Sequence, residues 1–196
     1  MPKKTLLRLE IAGPVIVFII ASFLHFIYRL SPNVLTSLFG AVNESIWEHI
    51  KIFTIAYLFY GFIELFWAKP QFKRFVVSKT AGVIIQGVFI PLAFYLFSFF
   101  VKKPVLIVDL LIGLIASVLG FLVSFKLYSS SREIEKYYLT SLMLLLLIML
   151  SILCFTYFPP EAELFRDVIT GEYGVVPESI DMGAFALSGI KNPDLL

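Results

Sequence analysis

The chain has 196 residues, 59% of them hydrophobic and 15% charged, with a formal net charge of +2 and a mean hydropathy of +0.92. A soluble domain runs at about 45–50% apolar and about 25% charged, so this much apolar surface cannot be hidden in one small water-facing core, and lipid is the expected solvent. The same figures and the single Cys154 exclude disorder, collagen, coiled coil and a disulfide-stapled secreted fold, and the small, dispersed positive charge excludes a nucleic-acid partner.

A spanning helix needs about 20 mostly apolar residues, and five such runs occur, near Ile11–Leu30, Ser45–Ala68, Lys79–Val101, Val105–Tyr128 and Tyr137–Phe158. The expected fold is an all-α polytopic transmembrane helix bundle of about five spans over residues 1–158, with a short tail over 159–196. The first run follows Lys3, Lys4 and Arg8 as a signal peptide would. It is long, carries His25 and Arg29, and lacks a small-residue cleavage site, so it reads as a retained helix.

Positive loops stay in the cytoplasm. With the N-terminus inside, Lys3, Lys4, Arg8, Lys69, Lys73, Arg74, Lys79, Lys126, Arg132 and Lys136 fall on the inner side. Arg29, Lys51, Lys102, Lys103, Arg166 and Lys191 fall on the outer side. That bias predicts an N-in/C-out arrangement and an extracytoplasmic tail. In the second run, Trp47 and Trp67 are twenty positions apart, about 30 Å of helix and one hydrocarbon thickness, as interfacial tryptophans would be. Pro91 predicts a kink in the third run, and Cys154 reads as a small apolar filler of the fifth.

The informative segment is Gly40-Ala41-Val42-Asn43-Glu44-Ser45-Ile46-Trp47-Glu48-His49-Ile50-Lys51. Ser45-x-x-Glu48 has the spacing of a capping box, in which each side chain satisfies an orphan N–H of the helix start. That leaves Asn43, Glu44, His49 and Lys51 without a role. On a helix Glu44, Glu48 and Lys51 share a face, and two carboxylates one turn apart repel unless a cation or proton lies between them. Lys51 would be that cation in a structural reading, a metal or a shared proton in a functional one.

His25 lies at a similar depth near the outer end of the first run, in a stripe with Ser22 and Arg29. Asp109 enters from the outer start of the fourth. A carboxylate in lipid is costly and normally faces the bundle interior or a watery cavity. The small residues Gly113, Ala116, Ser117, Gly120 and Ser124 below Asp109 mark a close helix contact, so Asp109 should point inward, unless it simply pairs with Lys102 or Lys103. Glu64 and Gln86 fall nearer the other side and read as unrelated, Glu64 as an inter-helix hydrogen-bonding group.

Three runs thus bring His25, Glu44, Glu48, His49 and Asp109 toward one leaflet. As a metal site, His25, His49, Glu44 and Asp109 would hold a divalent ion, zinc or iron by ligand type. Glu44, Glu48 and Asp109 would be the catalytic carboxylates. The corresponding activity is a membrane-embedded, metal-assisted hydrolase or lipid-modifying enzyme. The alternative is a non-catalytic module that binds a lipid, a peptide or a partner membrane protein. A small-solute or ion transporter fits less well, because no internal repeat is visible and the middle of the bundle reads as apolar. In the tail, Phe165-Arg166-Asp167-Val168-Ile169-Thr170-Gly171-Glu172-Tyr173-Gly174 reads as turns, either an interfacial tail or a lid on the same side as the pocket.

The Asn-Glu-Ser-x-Trp-Glu-His block at 43–49, with His25-Phe26 before it and Asp109 and the Phe165–Gly174 stretch after it, resembles an uncharacterised family of small bacterial multi-pass membrane proteins known only as a domain of unknown function. The resemblance implies a multi-pass protein of the bacterial plasma membrane carrying these motifs together, and no activity.

Overall fold

The computed structural model describes residues 2–101 and 105–175. The expectations placed on Lys102, Lys103 and the tail from 176 onward, Lys191 included, fall outside the described residues. Among the described residues the chain is helical, with no strand and one isolated antiparallel bridge between Arg166 and Tyr173. Its α-helices are α1 (Pro2–Leu30), α2 (Val34–Phe39), α3 (Ile46–Ala68), α4 (Phe72–Phe100), α5 (Leu106–Ser129) and α6 (Tyr138–Tyr157). All but the short α2 are long and apolar enough to cross a membrane.

The spans match the five apolar runs, with two extensions. α1 starts nine residues before its expected boundary, because Pro2 sits where its missing N–H costs nothing and no breaker follows. α4 starts at Phe72 rather than Lys79 and runs for 29 residues, about 43 Å at 1.5 Å per residue, so its ends reach beyond the hydrocarbon layer. It continues through Pro91, as α1 does through Pro14. α3 ends where Lys69 takes a left-handed conformation (φ 44°) just before Pro70, a combination that cannot propagate a helix.

The burial pattern is that of a protein whose solvent is lipid. Phe99, Phe66 and Leu106 are 79%, 76% and 72% exposed, while Lys51, Glu64 and Gln86 are 0% exposed. In water this pattern would be inverted; in hydrocarbon a charge must turn inward to find a partner. Cys154 is exposed on this apolar surface rather than filling the core, a position equally acceptable to a small apolar side chain when the surroundings are apolar.

α5 packs most extensively on α4 and also against α1, and α3 fills the space between α1 and α4. The small-residue stripe lies in these interfaces: Gly113, Ala116, Ser117, Gly120 and Ser124 are all buried. A Cβ on Gly82 of α4 would meet the Tyr57 hydroxyl and stand 2.8 Å from the Gly120 carbonyl oxygen, so glycine sets how closely α3, α4 and α5 approach. Arg74, at the start of α4, donates to the carbonyls of Tyr128 (2.6 Å), Arg132 (2.9 Å) and Ser130 and pairs with Glu135 (3.0 Å). The Tyr128 contact satisfies one orphan acceptor of the last turn of α5, and the others tie the following loop to α4.

Candidate functional site

The stretch between α2 and α3 is held against α1 by its own backbone. Ala41 N–H donates to the Leu24 carbonyl at 3.2 Å, and a Cβ on Gly40 would stand 2.8 Å from that same oxygen; only glycine allows the approach. The next residues are fixed by side chains. Asn43 accepts from Ser45 N–H (2.9 Å) and donates to the Gly174 carbonyl (2.8 Å). Ser45 is the N-cap of α3, accepting from Glu48 N–H at 3.3 Å.

Only half of the expected capping box forms. The Glu48 carboxylate does not turn back to Ser45; it accepts from Val42 N–H at 2.8 Å and pairs with Lys51 Nζ at 2.5 Å. Lys51 also donates to the Ser37 carbonyl (2.9 Å) and the Thr156 hydroxyl (3.1 Å). Glu48 and Lys51 are 1% and 0% exposed, so the pair is an internal strut joining α2, α3, α6 and the 40–45 link. A reciprocal capping box does form at Asn33 and Thr36, at the start of α2.

Glu44 is not on the face of Glu48 and Lys51, because α3 begins only at Ile46 and Glu44 precedes the N-cap. Freed from helical geometry, its carboxylate swings to α1, 3.4 Å from His25 Nε2 and 2.7 Å from an Arg29 Nη2 donor. Burial pushes the Glu44 carboxyl up, but the hydrogen bond from His25 and the attraction of His25, His49 and Arg29 outweigh it and hold the group below its ordinary 4.5. His49, one turn into α3, faces His25 with ring centroids 5.4 Å apart. Its Nδ1 lies 2.9 Å from the Ser45 carbonyl. A carbonyl only accepts, so Nδ1 carries a proton, and in the neutral ring that leaves Nε2 as the acceptor, the orientation found where histidine ligates a metal.

One potential ligand atom from each of His25, Glu44 and His49 lies within 4.8 Å of the others. Donors of a tetrahedral zinc site stand roughly 3.5 Å apart, so small side-chain rotations close the set. These three residues and Asp109 sit around a cavity of about 390 Å³ whose remaining walls are largely apolar, with Phe18, Ile52, Phe53, Ile90, Phe94 and Leu110 prominent. Ser22 lines it as well, and Asp109 points inward as its small-residue stripe indicates.

Of the residues singled out as a site, His25, Glu44, His49 and Asp109 share one cavity, and Glu48 does not line it. The role of Asp167 was not apparent from sequence. Its carboxylate accepts from the N–H groups of Ile169 (2.6 Å), Thr170 (2.9 Å) and Glu44 (3.1 Å), which docks the 166–174 loop on the 40–45 link and brings Val168 and Ile169 to the cavity. The Asp-x-x-Thr-Gly turn pattern at 167–171 was the signal available; its partner across 123 positions was not. Trp47 packs on Phe155 and the loop residue Phe165, with centroids 5.3 and 5.0 Å away, so it anchors the loop, while Trp67 at the far end of α3 is 64% exposed.

The profile of a family described as a family of unknown function, DUF6512, matches residues 3–175, which include every element of this cavity. The chain belongs to the DUF6512 family. No curated protein and no solved structure matches it. Membership agrees with the expectation of a family of unknown function covering most of the chain.

Proposed function

We propose that this DUF6512 protein is a multi-pass membrane enzyme that hydrolyses an amphiphilic, lipid-like substrate in the cavity between α1, α3, α4 and α5. The observation that carries the proposal is the polarity split of the cavity. His25, Glu44, His49 and Asp109 gather in one region, and the rest of the wall is aromatic and aliphatic, which suits a polar headgroup joined to an acyl or prenyl chain. His25, Glu44 and His49 hold a divalent ion, zinc by ligand type. Held by these three side chains, a divalent ion would supply a water acidic enough to ionise near neutral pH. Asp109, which lines the same cavity, would take a proton from the attacking water as its oxygen bonds to the electrophilic carbon or phosphorus, and would return it to the leaving oxygen as the bond between that oxygen and the electrophile breaks. Glu48 takes no part, since it does not line the cavity and its Oε2 serves both Val42 and Lys51.

The Lys and Arg bias supports an orientation with the N-terminus in the cytoplasm and the cavity in the outer leaflet. In that orientation the 159–175 segment is an extracytoplasmic lid, with Val168 and Ile169 covering the substrate chain. A second reading rests on Arg29: its 2.7 Å contact with Glu44 compensates the carboxylate without a metal, which suits a non-catalytic module for a lipid or a partner membrane protein.

The test is turnover of ester- and phosphoester-linked amphiphiles by protein in lipid nanodiscs supplied with zinc. Asp109→Asn is expected to lower the rate by about 10²–10⁴. Metal bound at His25 and His49 with no hydrolysis of either class would refute the enzyme and leave the binding module.

A further inference from the structure

A second charged group lies inside the bundle, away from the cavity. Glu10 of α1, Glu64 of α3 and Lys79 of α4 are 4%, 0% and 4% exposed. Lys79 Nζ lies 2.5 Å from Glu64 Oε2 and 3.1 Å from Glu10 Oε1, in ion pairs that miss hydrogen-bond angles. Ser124 of α5 donates to Glu10 Oε1 at 3.1 Å. The rings of Phe121, Tyr57 and Phe75 surround the ammonium, with centroids 4.5, 4.9 and 5.4 Å away. Glu10 Oε2 and Glu64 Oε1 are buried and have no hydrogen-bond partner among the described residues.

Charge balance makes this cluster unusual. Two carboxylates and one ammonium sum to a net negative charge if all are ionised. The other groups packed around it, Tyr57 and Tyr60 of α3 and Ser124 and Phe121 of α5, bring no second cation. An uncompensated charge in such a place costs several kcal/mol, and carboxylates that share a site retain a proton between them. Two carboxylates and three ring faces surround the Lys79 ammonium, all of them groups that attract a cation.

Further buried polar groups lie between this cluster and the cavity. Tyr57 donates to the Gly120 carbonyl at 3.4 Å, and Gln86 packs over that same glycine. Both ends of Gln86 and the Ser117 hydroxyl are fully buried without a hydrogen-bond partner among the described residues. Gln86 is one turn below Ile90, and Ser117 one turn below Gly113, both of which line the cavity.

We propose that Glu10, Glu64 and Lys79 form a proton-binding site that holds one exchangeable proton on its carboxyl pair, linked to the cavity floor by Tyr57, Gln86 and Ser117. The proposal is independent of any metal at His25. Infrared difference spectra of protein in nanodiscs test it, with Asp109→Asn as the common background to remove the cavity carboxyl. At neutral pH the parent should show a protonated-carboxyl band that shifts in D₂O. The band should vanish in both Glu10→Gln and Glu64→Gln, because either leaves a neutral Glu–Lys pair, and should gain intensity in Lys79→Met, where both carboxyls are protonated. Its persistence in both glutamine variants would overturn the site. If a glutamine variant does not assemble, carboxyl-¹³C glutamate labelling of the parent decides, and a band that fails to shift overturns it. Gln86→Leu should slow deuterium exchange of the band about tenfold with its intensity kept; an unchanged exchange rate would overturn the link.

Discussion

Replacing Lys51 by methionine should be among the most damaging single changes in this protein. The ammonium is fully buried and pairs with Glu48 at 2.5 Å, and it also donates to the Ser37 carbonyl and the Thr156 hydroxyl. Methionine fills most of the volume but leaves the Glu48 carboxylate buried with Val42 N–H as its remaining donor. The positive end of α3 softens this by about 0.3–1 kcal/mol. Breaking a buried pair from one side costs about 3–5 kcal/mol, so we expect a net loss of about 2–5 kcal/mol. Glu48→Gln combined with Lys51→Met should recover part of it, since the orphaned charge is gone. The assay is reversible unfolding in mixed micelles followed by helical circular dichroism, run as a double-mutant cycle. A loss below about 1 kcal/mol in Lys51→Met, the scale of an exposed pair, would refute the strut.

Asp167→Ala removes the acceptor of three N–H groups and should release the 166–174 loop, seen as faster amide exchange at Glu44, Ile169 and Thr170 with the helices unchanged. Gly82→Ala puts a methyl group against Tyr57 and the Gly120 carbonyl and should destabilise by about 1–3 kcal/mol in the same unfolding assay. The Glu44 carboxyl lies below 4.5 when folded, so its ionisation adds stability that is fully present above 4.5 and is lost as pH falls through the depressed value. A stability profile from about pH 5 downward should therefore have a shallower acid limb in Glu44→Gln than in the wild type; superimposable limbs would contradict this.

The spans were legible because lipid imposes long apolar runs, and their centres match α1, α3, α4, α5 and α6. Their ends were less so, because nothing in Lys3-Lys4 or Phe72-Lys73-Arg74 forbids a helix from extending into the headgroup region. Four cavity residues were readable as polar groups at similar depth. The separation of Glu44 from Glu48 was not, since it depends on α3 starting at Ile46 and on Lys51 claiming Glu48. The Glu10–Glu64–Lys79 cluster was hidden more completely. Lys79 reads as an inner-side charge when the helix is taken to begin there, and Glu10 falls just outside the first run when that run begins at Ile11; both become interior only because α4 and α1 extend past them. Tyr57, Ser117 and Gln86 are further fully buried polar side chains within the spans.

The functional reading rests on a divalent ion at His25, Glu44 and His49. Elemental analysis of the purified protein after zinc loading and gel filtration tests this directly, with His25→Ala and His49→Ala alongside. About one zinc per chain in the wild type, and a loss of most of it in both variants, is the expected result. Equal, near-zero zinc in all three proteins would contradict it.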